Sequence, residues 1–514
     1  MKPIRLVRGF LTVGAWTLAS RAVGFIRDVL IASYLGSGPV AEAFLVAFSL
    51  PNTFRRFFAE GAFNTAFVPM FSKKLEANED PLGFAEDALA GLGATVLLVS
   101  VISIIAMPVL VYAMASGFAG DERFGLAVQF GRITFPYILF MAGAALFSGV
   151  LNAGGRFIAA AGAPVLLNIF FIAAMLLARH YHWNMGLTLS WTTPITGFAQ
   201  MGLVWLACVR MGMPIKLRWP RMTPDLKRLL TIAGPAVMAG GVVQLNLLVG
   251  RQVGSFFDGA IAWLNYADRL YQLPLGVVGI AIGVVLLPDI SRRLKANDVV
   301  GGRYAYNRAT EFSLMLTMPA AVALMVIPVP LISVLFKRGA FSATDVTNTA
   351  AVLAVYGAGL PAFVLQKVLQ PLYFAREDTK TPFRFAWHSM IVNAGAAILL
   401  APFIGFIAAA LGTTLAGWSM VAQLWWGKHH MGEAATFDDR LLHRVPRLAL
   451  ASVLMGVALY GLRVLLADQL LMPGWRYLAL AGLVTGGMLA YAIAAVVTGA
   501  IRMGDVRSSL GRQR

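Results

Sequence analysis

The feature that most constrains this chain is the recurrence, along its whole length, of apolar stretches close to the length needed to cross a bilayer. Leu92–Met114, Pro164–Ala178, Leu314–Leu335 and Leu478–Val497 are examples. About 20 apolar residues in a helix cross roughly 30 Å of hydrocarbon, and the shorter stretches require tilt or polar interruption. A soluble core cannot absorb them. Of 514 residues, 59% are apolar and 13% are charged, about half the roughly 25% charged residues of soluble domains. In lipid, each backbone N–H and C=O must be satisfied within its own segment, so the spans are helical. The expectation is an all-α membrane protein of about fourteen transmembrane helices.

The first helix, predicted over 10–35, follows Lys2, Arg5 and Arg8, as a signal peptide would. Arg21, Arg27 and Asp28 lie within it, whereas a cleavable apolar region is short and uncharged. It therefore reads as a retained helix starting in the cytoplasm. From there, an even number of crossings puts both termini on the cytoplasmic face. The loops of that face carry about 28 Lys and Arg against about 5 opposite, the bias of the positive-inside rule. This accounts for most of the net charge of +18 without nucleic acid, which would need a soluble basic patch with accessible aromatics. The single cysteine, Cys208, rules out an intrachain disulfide and any multi-cysteine metal site.

An internal repeat is visible. Val68-Pro69-Met70-Phe71-Ser72-Lys73-Lys74-Leu75-Glu76-Ala77-Asn78 aligns without gaps with Leu287-Pro288-Asp289-Ile290-Ser291-Arg292-Arg293-Leu294-Lys295-Ala296-Asn297, a shift of 219 residues. The second helix, predicted over 41–70, thus matches the eighth, over 261–290. Six helices separate them, so the copies share an orientation, as in parallel lobes related by an axis along the membrane normal. The expected organisation is an N-lobe over 1–222, a C-lobe over 223–432, and two further helices with a cytoplasmic tail over 433–514. The two six-helix lobes are expected to be pseudo-symmetric and to surround a central cavity.

Once the loops are set aside, Arg21, Arg27, Arg55, Arg56, Arg132, Arg251, Arg269, Lys367 and Arg463 remain at or near membrane depth. Each costs roughly 2.5–3.5 kcal/mol at a helix centre even on the lenient insertion scale. Arg132, Lys367 and Arg463 are isolated or near helix ends, where snorkelling or structural pairing suffices. Arg21, Arg27, Arg55, Arg56 and Arg269 instead cluster in helices 1, 2 and 8, with Asp28, Glu42, Glu60 and Asp268 as company. Arg56 and Glu60 are spaced for an i,i+4 pair, leaving Arg55 turned away from it. The local surplus is positive, which points to a hydrated cavity presenting cations. Pro51 and Pro274 are expected to interrupt helices 2 and 8 beside these charges, a pattern seen at central transporter sites. Guanidinium forks match phosphate oxygens, so the expected ligand is a phosphate-bearing anion.

Ser20-Arg21-Ala22-Val23-Gly24-Phe25-Ile26-Arg27-Asp28 resembles the first helix of the MurJ (MviN) family of lipid II flippases, within the multidrug/oligosaccharidyl-lipid/polysaccharide exporter superfamily. The likeness continues through Ala43–Phe48, Leu50-Pro51-Asn52, Arg55–Phe63 and Ala66–Pro69, and returns at Tyr266-Ala267-Asp268-Arg269-Leu270, Pro274–Val277 and Lys380-Thr381-Pro382. The resemblance covers essentially the whole chain. It implies fourteen helices in two lobes around a cavity, with helices 13 and 14 forming a groove for a polyprenyl tail. It also implies transfer of undecaprenyl-diphosphate-linked MurNAc-pentapeptide-GlcNAc (lipid II) from the cytoplasmic to the periplasmic leaflet of the bacterial inner membrane by alternating access.

On that resemblance, Arg27, Arg55 and Arg269 are expected to grip the diphosphate, and Arg21, Asp28, Glu42, Arg56, Glu60 and Asp268 to shape or gate the cavity. The family commonly carries Asp where this chain has Glu42, so a longer arm serves there. Some members hold sodium through Asp and Asn on helices 7, 11 and 12. Here Asn246 beside Arg251, and Asn393, come without a clear buried carboxylate, and no metal site is carried over.

The expected partners are lipid II and membrane lipids, with transient contacts to cell-wall synthesis proteins. No cofactor is expected, although membrane-potential or ion coupling fits such a carrier. There is no Walker, HExxH or GxSxG motif, so ATP use and covalent catalysis are not expected. Two alternatives are a cation-coupled multidrug exporter of the same superfamily and a non-transport membrane scaffold for cell-wall assembly.

Overall fold

The computed structural model describes residues 3–55, 62–296 and 298–501. Among these the regular structure is entirely helical. The segments expected to be helical fall largely on helix, with interior breaks at Ala106, Phe135–Pro136, Ile327 and Leu466, and 56–61 lie outside the described residues. Among the described residues, 10 helical stretches are long and apolar enough to cross a membrane. Their outward faces are apolar too. Leu97, Leu98, Val101, Ile102 and Ile105 of one helix are all exposed, a contiguous greasy surface that a soluble monomer does not present.

Packing divides the chain into two compact units, Met1–Ala262 with Gly339–Phe341, and Trp263–Arg338 with Ser342–Arg514. The first contains α1 (Pro3–Leu35), α2 (Pro39–Arg55), α3 (Ala62–Ala77), α4 (Pro81–Ile105), α5 (Met107–Met114), α6 (Glu122–Thr134), α7 (Tyr137–Ala153), α8 (Ile158–His180), α9 (Met185–Arg210) and α10 (Pro224–Gly254). Here α8 packs on α1 and α9, α6 on α2, and α7 on α9. The helix α10 follows the expected lobe boundary at 222/223 but packs on α3 and α4 within the first unit.

Within this unit Phe44, Phe48 and Phe171 form an aromatic cluster with ring centroids 5.6 to 6.2 Å apart, within the range of favourable aromatic pairing. Ala340 N–H donates to the Ser33 carbonyl at 2.7 Å. The neighbouring Gly339 has φ +58, and a Cβ there would lie 2.1 Å from the same carbonyl. Only glycine allows both the approach and the backbone angle.

Pro51 does not interrupt its helix, contrary to the sequence expectation. The helix α2 runs on to Arg55. Proline lacks the N–H that would bond the Ala47 carbonyl four residues earlier. The fully buried Thr134 hydroxyl of α6 donates to that carbonyl at 3.2 Å instead. A side chain from a neighbouring helix thus satisfies the freed acceptor, as membrane helices with internal proline require.

The second unit begins within α11 (Ala260–Lys295) and contains α12 (Val299–Val326), α13 (Pro328–Phe336), α14 (Ala343–Phe374), α15 (Lys380–Ile404), α16 (Ile407–Gly427), α17 (Asp439–Leu465), α18 (Ala467–Leu471) and α19 (Arg476–Val497). Pro274 also lies inside continuous helix. In this unit α14 packs on α12 and α16, α16 on α15, and α17 on α12 and α19.

One end of the α12–α17 contact is fixed by charge. Glu311 pairs with Arg308 and Arg444, and with Arg440 at 3.3 Å. Lys428, buried before α17, donates to the Ala435 carbonyl at 2.9 Å. Its ammonium lies 4.0 Å from the Trp425 ring centroid and 4.1 Å from that of Phe437, so aromatic faces replace part of the lost hydration.

The repeat is legible in the caps. The helices that carry it, α3 and α11, end at Ala77 and Lys295, one residue apart in the repeat register. Each is followed by an aspartate that caps the next helix. Asp80 Oδ1 accepts from Gly83 N–H at 2.9 Å, and Asp298 Oδ1 from Gly301 N–H at 2.8 Å. The same Asp-x-x-Gly device satisfies an orphan helix donor in both units.

Candidate functional site

In the first unit, Arg27 of α1 is a cation in a buried setting. It and Asp28 are buried, at 7% and 4% exposure. Arg27 Nε and Nη2 donate to Asp28 Oδ1 at 3.0 and 2.6 Å, and Nη1 donates to Asn168 Oδ1 of α8 at 2.9 Å. The Phe171 ring lies 5.8 Å from the guanidinium carbon. Asn168 is itself oriented, because its Nδ2 donates to the Ser20 carbonyl at 3.0 Å. A Cβ at Gly24 would lie 3.3 Å from that amide nitrogen. Gly24 therefore lets α8 bring Asn168 against α1, and the amide oxygen is aimed at Arg27 as a result. Asp28 occupies one side of the guanidinium and a neutral amide the other, and an anion that displaces the amide oxygen gains attraction in a low-dielectric setting.

Arg21 lies one and two-thirds turns before Arg27 and is exposed. It shares a helical face with Asp28 but not its burial. Arg55 is half-buried on α2, at the edge of the described residues. In the second unit, Asp268 and Arg269 are both half-buried on α11. The Asp268 carboxylate accepts from Gln272 Nε2 one turn on. Tyr271 is buried beside them, with its ring 5.5 Å from that of Tyr356 and 5.8 Å from that of Phe363. Arg56 and Glu60 lie outside the described residues.

Glu42 has a partner that local sequence reasoning missed. Its carboxylate, 1% exposed, accepts from Arg123 Nη1 at 2.9 Å and from Ile261 N–H at 3.0 Å. Ile261 is in the first turn of α11, so Glu42 satisfies an orphan donor of a helix far away in sequence. Arg123 also bonds Asp121, through Nε at 2.7 Å, and approaches Asp258 at 3.0 Å. These groups line an open cavity of about 390 Å³ with Ser37, Gly38, Pro39, Glu122 and Gly259. Burial pushes the Asp121 carboxyl up, but hydrogen bonds from the Arg123 side chain and backbone outweigh it and hold the group below the usual aspartate value. The signal for the pairing was present only in Asp121 lying two residues before Arg123.

Arg132 and Arg463 behave as structural groups. Arg132 Nε donates to the Ile104 carbonyl at 3.3 Å and Arg463 Nη1 to the Val326 carbonyl at 3.4 Å, each at the C-terminal end of another helix, where carbonyls seek donors. Lys367 is exposed. Asn393 is buried on α15, against Gly412 of α16, where a Cβ would lie 2.9 Å from its Oδ1. Among the described residues, no three His, Cys, Asp or Glu side chains come together to hold a metal.

Residues 31–482 match the model of the family described as lipid II flippase MurJ. This chain belongs to that family. It is 43% identical to a probable lipid II flippase MurJ of Rhizobium tropici, with 99% of this chain and 97% of the relative covered. A solved structure of lipid II flippase MurJ in an inward closed conformation superposes with a TM-score of 0.79 at 27% identity, covering 95% of this chain and 98% of that one. An inward-facing transporter of the multidrug resistance MATE family matches with a TM-score of 0.67 at 15% identity, covering 80% and 95%, and shares the fold. The chain is thus a multi-pass membrane protein of the lipid II flippase MurJ family.

Proposed function

We propose that this chain carries lipid II from the cytoplasmic to the outer leaflet of the bacterial inner membrane by alternating access. The observation that carries this reading is the buried Arg27, held between Asp28 and the amide of Asn168, in a member of the lipid II flippase family. Arg27, Arg55 and Arg269 bind the diphosphate through charge-assisted hydrogen bonds. Arg21, Asp28 and Asp268, with Arg56 and Glu60, shape or gate the path. Glu42 and Arg123 hold the start of α11 against α2. No covalent step is involved. The polar headgroup crosses while the polyprenyl tail stays in lipid.

Both termini face the cytoplasm in this reading, as the sidedness of Lys and Arg supports. With the interior negative, outward movement of the headgroup is favoured by about 2.3 kcal/mol per charge per 100 mV, so the membrane potential is one source of drive. Transient contacts with cell-wall synthesis proteins hand the substrate on. Depletion of the protein in cells without a redundant flippase, with measurement of the leaflet that holds the lipid-linked precursor, tests the reading. Loss of outer-leaflet precursor is expected, and unchanged outer-leaflet exposure refutes it.

A further inference from the structure

Between α9 and α10 the chain runs without helix or strand through Ile215-Lys216-Leu217-Arg218-Trp219-Pro220-Arg221-Met222. Such a connection would ordinarily tuck its apolar side chains inward. Here Leu217, Trp219 and Met222 are 77%, 84% and 71% exposed. The exposure is built in, because the backbone around them is fastened. Ile215 is buried and its carbonyl accepts from Trp205 Nε1 at 3.1 Å. Glu86 of α4, itself buried, accepts from Lys216 N–H at 2.9 Å and is ion-paired with Arg218 at 2.5 Å.

The segment leaves α9 at Arg210 and enters α10 at Pro224, and α9 is long and apolar enough to cross a membrane. This puts the segment at the level of lipid headgroups, where a tryptophan with one wet and one apolar edge is at home. The local charge is positive. Lys216 and Arg221 are exposed, while Glu86 is paired with Arg218 and Asp225 with Lys74 at 3.0 Å. Basic residues interleaved with large apolar ones at an interface match anionic headgroups above an acyl layer.

We infer that this connection is an interfacial anchor, in which Leu217, Trp219 and Met222 enter the acyl boundary while Lys216 and Arg221 bind the phosphates of anionic phospholipids. The anchor is separate from the transport site and stands whether or not the chain flips lipid II.

The test is hydrogen exchange of the full chain in nanodiscs of phosphatidylcholine alone or with phosphatidylglycerol. Backbone exchange over 213–223 is expected to be about fivefold or more slower with the anionic lipid, and the difference should shrink at high salt. In a K216Q/R221Q variant the dependence on lipid charge should vanish, with exchange elsewhere unchanged. Equal exchange of the parent chain in the two lipids overturns the proposal whatever the variant does. So does protection that arises only when a soluble protein partner is added.

Discussion

Arg27 and Arg123 sit in the same unit and are almost equally hidden, at 7% and 6% exposure, yet their surroundings assign them different work. Arg123 is held by three carboxylates, those of Glu42, Asp121 and Asp258. Arg27 is held by one carboxylate and by the neutral oxygen of Asn168. Burial alone therefore does not distinguish a structural cation from a ligand-binding one. A guanidinium surrounded by carboxylates gains nothing from a further anion, whereas an amide oxygen gives way to a phosphate oxygen at a net gain in attraction.

The largest expected effect falls on the structural side of this contrast. Replacing Glu42 with Ala leaves Arg123 buried without its deepest counter-ion and removes the acceptor for Ile261 N–H. Breaking a buried pair in this way costs about 3 kcal/mol, read as a lower melting temperature of the purified protein. A melting temperature within the error of the parent would show that this cluster is not a clamp. Arg27→Ala should act on transport. It also parts a buried ion pair, so melting falls as well, but transport per folded molecule is expected to fall about 10- to 100-fold, the value of a charge-assisted hydrogen bond of roughly 1.5–3 kcal/mol. Arg27→Lys should recover only part of the activity, since an ammonium cannot present a fork. Full activity in R27A would remove Arg27 from the site.

Asn168→Asp makes the surroundings of Arg27 more like those of Arg123. A second carboxylate competes with the substrate phosphate, so transport should drop about tenfold, equivalent to about 1.4 kcal/mol, although every arginine remains. Unchanged transport in N168D would mean that the amide is incidental and that the comparison does not define the site.

These contrasts also mark what the sequence could reveal. The spans were legible because lipid makes apolar length and backbone pairing into a single requirement. Arg27 and Asp28 were legible because the charged residues stand out in an apolar helix. Asn168 was not, since a buried amide within an apolar run carries no charge signal, and its importance comes only from α8 packing across Gly24. Glu42 drew attention by its charge, but its partner Arg123, 81 residues away, is outside the predicted spans and does not stand out as a charge at membrane depth. Pro51 was misread for a related reason: a proline shows locally which donor is missing, while the substitute donor, Thr134, is supplied by tertiary packing. The repeat at 68–78 was visible, but the caps that follow it, at Asp80 and Asp298, are offset by one residue in register and so escaped a gapless alignment.

The smallest expected effect sharpens the structural side of the comparison through pH. Asp121 caps α6 and accepts from the side chain and backbone of Arg123, and its carboxyl is held below its ordinary value. A carboxyl with a depressed folded-state pKa stabilises the fold above its unfolded value of about 3.9, and that contribution is lost as pH falls through the folded value. Melting measured from pH 7 downwards should therefore be flat in this contribution until about pH 4, then decline. In Asp121→Asn, which keeps an acceptor for the cap but loses the charge, the decline should be slightly shallower. Because Asp121 is partly exposed, solvent screens the pair and the difference should be small. A decline of identical depth in both proteins would mean that the clamp is carried without Asp121, and that Asp121 serves only to cap its helix.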